Sequence, residues 1–338
     1  MAPAGKRTFD ARPRKIANDI SWIAGLAVLC LVPIVAANSY QIHMANVICL
    51  NILLAVGLNV VKGFTGQVTV GHIALYAIGA YSSAILTLNF AFPFWLALPA
   101  SMVITALAGL MVGVPSIRLE GAYLALATLG FAESVRICLL TTNYFGSSGG
   151  LGGIPEPTLF GFSFNTEARY FYLLMPITLL GIYISLALLK SRIGRAFMAI
   201  REDPLAAASI GIDVRGYKLL AFVISALYAG CAGSLYAHLA PGYIHPNNFT
   251  ITEMVALLLM IVLGGMGRVW GGVLGAIVVA IIHDWARDYY QYEYLIFGFV
   301  IVICVIYMPQ GVFGWLHKFV AERNFRRVRE TRANAAQR

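Results

Sequence analysis

The chain has 338 residues, 59% of them hydrophobic and only 12% charged, with a formal net charge of +9. Soluble domains carry about 25% charged residues. This deficit, with a mean hydropathy of +0.78, excludes an ordinary soluble protein and predicts an all-α polytopic membrane protein. The five cysteines (Cys30, Cys49, Cys138, Cys231, Cys304) all lie in apolar runs and form no CxxC pair. They read as small buried apolar residues, without disulfides or a metal site.

Residues 1–19 form a basic arm carrying Lys6, Arg7, Arg12, Arg14 and Lys15. The apolar run behind it lacks a small-residue cleavage site and reads as a retained span. Spans are predicted near 20–37, 42–61, 72–89, 93–113, 120–140, 170–189, 217–239, 251–266, 270–285 and 293–309. A helix needs about 20 apolar residues to cross a bilayer, and lipid tolerates only internally hydrogen-bonded backbone. The pair at 251–285 is short enough to form a re-entrant hairpin, so the expected count is about eight to ten. Together 20–317 make one transmembrane domain, followed by a basic tail at 318–338. Ten spans put every Lys and Arg on one side except Arg136, Arg169 and Arg287. Both termini are therefore expected in the cytoplasm. The positive charge suits an anionic lipid bilayer and not a nucleic acid.

Between the second and third spans lies "GFTGQVTVGH", residues 63–72. Gly63, Gly66, Val68 and Gly71 recur with the same spacing as Gly264, Gly267, Val269 and Gly272. Both runs fall at cytoplasmic turns between helices of like polarity, which suggests an internal repeat. Glycines permit close helix approach and left-handed backbone. Thr65, Gln67, Thr69 and His72 can then satisfy backbone groups or line a water-filled path. A gate beside the pathway and a tight helix corner both fit.

In the fifth span, Glu133 and Arg136 stand at i and i+3 near the outer end, placed for an ion pair. Intramembrane charges face a bundle interior or a cavity, so this pair is a pathway candidate as well as a structural one. Glu253, at the outer start of the eighth span, reads as interfacial. The Gly-, Pro- and aromatic-rich loop after 141 and the loop "APGYIHPNNFT" are outer loops. Neither holds a phosphate-binding G-x-x-x-x-G-K-[ST] pattern, and His245 needs no metal.

The segment 190–216 is the long cytoplasmic loop. Within it "DPLAAASIG" carries helix punctuation: Asp203 as N-cap, Pro204 at the first helical position, alanines inside, and Gly211 as a left-handed stop. This predicts a helix of about two turns, exposing Leu205, Ala206, Ala208, Ser209 and Ile210. That face suits a partner's groove, or the helix is a connector packed on the protein's own spans.

At this segment the sequence resembles a family. ABC importer permeases carry a Glu-Ala-Ala-x-x-x-Gly pattern that docks into an ATPase subunit, and "LAAASIG" matches Ala206, Ala207 and Gly211 in register. Leu205 stands where Glu is usual, and the nearest acid is Glu202. "AIREDPLAAASIGIDVRGYKLLAFVISA" is similar to the M-type permease of branched-chain amino-acid (Liv-type) importers. So are "NILLAVGLNVVKGFTGQVTVGHIALYAIGAY", "YLALATLGFAESVR", "GLGGIPEP" and "VLGGMGRVWGGVLGA".

The resemblance implies an ABC importer permease fold in a bacterial inner membrane. It implies ATPase coupling through Glu202, Asp203, Pro204, Leu205, Ala206, Ala207 and Gly211. The implied partners are two ATP-binding subunits, a homologous second permease and an extracytoplasmic substrate-binding protein. ATP and Mg would be used by partner subunits, with no cofactor on this chain. No nucleophile–base constellation or HExxH motif appears, so the chain reads as a transport subunit and not an enzyme. Urea, short amides, aromatic acids or sugars are alternative cargoes. A self-contained secondary transporter is a further alternative, for which one intramembrane acid, Glu133, is few.

Overall fold

The computed structural model describes residues 38–159, 161–239, 242–287 and 298–299. The arm, the tail and the predicted spans at 20–37 and, apart from 298–299, 293–309 lie outside the described residues. The other eight predicted spans are helices. They are α1 Ser39–Asn59, which continues as a π-helix over Val60–Phe64, α2 His72–Leu88, α3 Phe94–Ser116, α4 Ala122–Thr141 and α5 Glu167–Lys190. Two short helices follow, α6 Arg192–Glu202 and α7 Pro204–Ser209. The series ends with α8 Val214–Ala237, α9 Ile251–Gly264 and α10 Val269–Arg287. Among the described residues six stretches are long and apolar enough to cross a membrane, with His72–Leu88 and Val269–Asp284 shorter apolar helices. The chain is thus a multi-pass helical membrane protein.

Local chemistry sets the helix ends. Thr166 caps α5 by accepting from Arg169 N at 3.4 Å. Glu167 in the first turn and Lys190 in the last complement the helix dipole. Ser191 then leaves the helical region and its hydroxyl accepts from Gly194 N at 3.2 Å, closing α5 and starting α6 with one residue.

The α9–α10 pair is not re-entrant. Asn59, at the end of α1, bonds to Arg268, and Tyr40, at its start, bonds to Asp284. The α10 helix therefore runs antiparallel along nearly all of α1. Of the described basic residues, Lys62, Arg118, Lys190, Arg192, Arg195, Arg201, Arg215, Lys218 and Arg268 gather at one end of the bundle. Arg136, Arg169 and Arg287 belong to the other. These are the basic end and the far end below.

The core forms around α1 and α8, whose faces are mostly buried. The α8 backbone touches α2: a Cβ on Gly79 would lie 2.6 Å from Gly230 Cα. Such contact lets dispersion between backbones hold helices together where lipid supplies no hydrophobic drive. Helices α3 and α4 lie at the edge, and their outward faces are apolar: Met111 is 73% exposed and Tyr123 75%. Cys49 and Cys231 are buried as expected, but Cys138 is exposed on α4. An apolar run places a cysteine near lipid as readily as in the core. At the far end the two outer loops pair, through an antiparallel bridge between Leu151 and Ile244 and a hydrogen bond from Tyr243 Oη to Gly149 O at 2.9 Å. A two-residue hairpin, β1 Thr158–Leu159 with β2 Phe162–Ser163, receives Trp95 Nε1 on Thr158 O at 2.8 Å.

Candidate functional site

The two glycine runs, 201 residues apart in sequence, meet at the basic end. Asn59 lies fully buried between them. Its Nδ2 donates to Arg268 O at 2.9 Å, and Gly267 N–H donates to its Oδ1 at 3.0 Å. A Cβ on Gly63 would lie 1.8 Å from Asn59 Oδ1 and 2.7 Å from Gly267 N, so any side chain there would separate the turns. Gly66 and Gly267, equivalent in the repeated spacing, both adopt left-handed backbone, with φ of 73° and 82°. That region favours glycine.

Beyond this point the repeat diverges. Gly71 stands just before α2, with a Cβ position 3.0 Å from Thr128 O. Gly272 lies inside α10, with nothing nearer than 3.7 Å. Gly264 is confined by α10: its Cβ would meet Gly271 O at 1.8 Å.

The polar side chains of residues 63–72 turn inward. Thr65, Gln67, Thr69 and His72 are each at least nine-tenths buried. Thr65 Oγ1 donates to Val61 O at 2.6 Å. Gln67 Nε2 donates to Thr65 Oγ1 and to Lys218 O, at 3.1 and 3.3 Å. His72 Nδ1 pairs with Ser225 Oγ at 3.2 Å. Gln67 Oε1 finds no partner among the described residues. These groups tie a corner together and do not border the far-end cavity described below.

Arg201 joins this corner to the loop. Its Nη1 donates to Gly63 O at 2.6 Å, and its side chain lies against Gly66 and Gly267. Sequence reasoning counted Arg201 among the basic residues of the cytoplasmic loop 190–216 and marked a helix only at 203–211, so this contact went unread. The helix α6 was legible there. Ile193, Ala196, Phe197 and Ile200 recur at helical spacing, and Ala196, Phe197 and Ile200 are buried. Phe197 packs edge-on against Tyr217 of α8, with ring centroids 6.1 Å apart.

The caps of α7 form as the sequence indicates. Asp203 Oδ1 accepts from Leu205 N and Ala206 N, at 2.8 and 3.1 Å. Pro204 holds the first helical position, and Gly211 takes φ of 85°. Ala207 alone in this helix is buried. Glu202 ends α6, while Leu205 and Ile210 stand 81% and 75% exposed. On α8, Lys218 Nζ, from a largely buried side chain, donates to Glu120 Oε1 at 2.7 Å.

At the far end Arg136 Nε donates to both Glu133 oxygens, at 3.1 and 3.0 Å, within α4. Arg136 Nη1 reaches Asn247 Oδ1 at 3.4 Å. Asn247 in turn borders a cavity of about 510 Å³ among α1, α2, α8, α9 and α10. Glu253, which the sequence suggests is interfacial, lines this cavity. His245 is engaged by Ser148 O and Asn247 N at 3.0 Å each. No group of three metal-ligating side chains occurs among the described residues.

Comparison with known proteins accords with this architecture. Residues 40–305 match the family model described as "Branched-chain amino acid transport system / permease component". The high-affinity branched-chain amino acid permease LivM of Escherichia coli K12 is 36% identical over 315 residues, covering 86% of this chain and 74% of the relative. LivM of Salmonella typhimurium is 37% identical over 296 residues, covering 80% and 69%. LivH of Escherichia coli K12 is 27% identical over 280 residues, covering 78% and 90%. No solved structure matches. A glycine-pinned helical bundle whose sequence matches that model across most of its described residues belongs to the family of branched-chain amino acid transport system permease components.

Proposed function

We propose that this chain is a permease subunit of an ATP-driven importer of branched-chain amino acids. It forms the pathway with a homologous second permease in a bacterial inner membrane. Both termini and the basic end face the cytoplasm, as the distribution of Lys and Arg favours. Two ATP-binding subunits use ATP and Mg; this chain performs no chemistry. An extracytoplasmic binding protein delivers cargo to the far-end loops.

The observation that carries this reading is the exposed α6–α7 elbow. Leu205 and Ile210 present large apolar side chains to the outside at the basic end, as a helix docked in a partner's groove requires. Behind them Arg201 bonds directly to the glycine corner. A displacement of α7 by a closing ATPase pair then pulls on Gly63 and shifts α1 against α10. The remaining coupling residues, Glu202, Asp203, Pro204, Ala206, Ala207 and Gly211, hold that elbow in shape.

The test is a paired variant, Leu205→Glu with Ile210→Glu, in the assembled system. Nucleotide-binding subunits should no longer co-purify, and leucine uptake should fall to background while the permease remains at its normal level in the membrane. Unchanged co-purification and uptake would overturn the docking assignment.

A further inference from the structure

The far-end cavity has a polarity gradient. Along α1 its wall runs from Tyr40 and His43 at the mouth to Leu50 and Leu54 below, and along α9 from Glu253 to Leu257 and Met260. Partway down, two polar side chains interrupt the apolar wall. Asn51 comes from α1 and Tyr76 from α2. Tyr76 is only 7% exposed, yet among the described residues neither its hydroxyl nor the Asn51 amide makes a hydrogen bond. Unpaired polar groups in such a wall are costly, and they mark a place where a ligand can supply the partner. His43 is engaged elsewhere, with Glu167 Oε1 at 2.9 Å. Glu253 is the acidic side chain in the cavity wall.

We propose that this cavity holds one aliphatic amino acid within a single permease subunit. Its branched side chain lies among Leu50, Leu54, Leu257 and Met260. Its carboxylate receives hydrogen bonds from the Tyr76 hydroxyl and the Asn51 amide, and its ammonium faces the Glu253 carboxylate. The volume lies within the range of about 300–1,000 Å³ usual for small-molecule sites. A zwitterion leaving water needs a partner for each charge, and the wall offers one of each kind. This inference rests on the amino-acid importer reading and adds the contact residues to it.

The test uses the complete transporter reconstituted in liposomes with its binding protein and radiolabelled leucine. Tyr76→Phe removes a hydroxyl that no described residue uses, so folding is spared. The half-saturating leucine concentration should rise about ten-fold, as loss of a hydrogen bond to a charged group implies. Glu253→Gln should do the same, and Leu257→Trp, which fills the floor, should abolish uptake while the partner subunits still co-purify. As a second measurement, Val47→Cys, in the cavity wall, in a cysteine-free background should react with a membrane-impermeant thiol reagent, more slowly when leucine is present.

Wild-type uptake in Leu257→Trp, or a reaction rate at Val47→Cys that leucine leaves unchanged, would overturn the site while leaving the importer reading intact. A wild-type complex that takes up no branched-chain amino acid would overturn the importer reading, and the site with it.

Discussion

The two ends of the bundle are built on opposite principles. At the basic end, backbone meets backbone: Gly63, Gly264 and Gly267 leave no room for a Cβ, and one asparagine bonds to both sides of the junction. Towards the far end α1, α2, α8, α9 and α10 surround a cavity of about 510 Å³, while Tyr40 and Asp284 still join α1 to α10. At the basic end the glycines set the approach of helix ends; at the far end they serve the loops, where a Cβ on Gly150 or Gly242 would lie 2.5 Å from a backbone carbonyl. Among the described residues the helices are pinned at the basic end, and the cavity lies towards the far end.

Substitutions that disturb one end and spare the other can break that comparison. The largest effect is expected at Gly264. Gly264→Val places atoms within 1.8 Å of the Gly271 carbonyl, and with overpacking of this severity the cost should reach about 3 kcal/mol. The checking measurement is the temperature at which the detergent-solubilised complex loses its gel-filtration peak. Gly272→Ala, whose nearest neighbour would be 3.7 Å away, should leave that temperature unchanged or slightly raised. Equal losses at both positions would show that tightness at this end is general and not local.

A smaller loss is expected for Asn59→Leu. It deletes two hydrogen bonds and leaves the Gly267 N–H unpaired in the core, a cost of about 2 kcal/mol. A melting temperature like that of the parent would remove Asn59 as the fastener. The smallest effect belongs to the far end. Glu133→Gln breaks a partly exposed i,i+3 pair with Arg136, worth about 0.2–0.5 kcal/mol in helices. The melting temperature should scarcely move; a large drop would show that the pair braces the loop at Asn247.

What could be read from the sequence follows from how local the physics is. The caps of α7 were legible because Asp203, Pro204 and Gly211 act within one turn of chain. The repeated glycine spacing was visible too, and the left-handed backbone at Gly66 and Gly267 bears out the correspondence at that position. That the two runs touch was not visible, because contact depends on Asn59 and Arg201, which lie outside the repeat. The cavity could not be read at all: five helices contribute its wall, and Glu253 looked like one more interfacial acid. The intended ion pair of Glu133 and Arg136 appeared from spacing alone, but its link to Asn247 did not.

The π-helical turn over Val60–Phe64 has a consequence for motion. A π turn holds one more residue than the α turn it replaces. Rewinding it would feed out about 1.5 Å of chain without stretching a covalent bond, just where Arg201 grips the Gly63 carbonyl. The permease thus carries a built-in length of slack at the joint where a pull from below would first arrive.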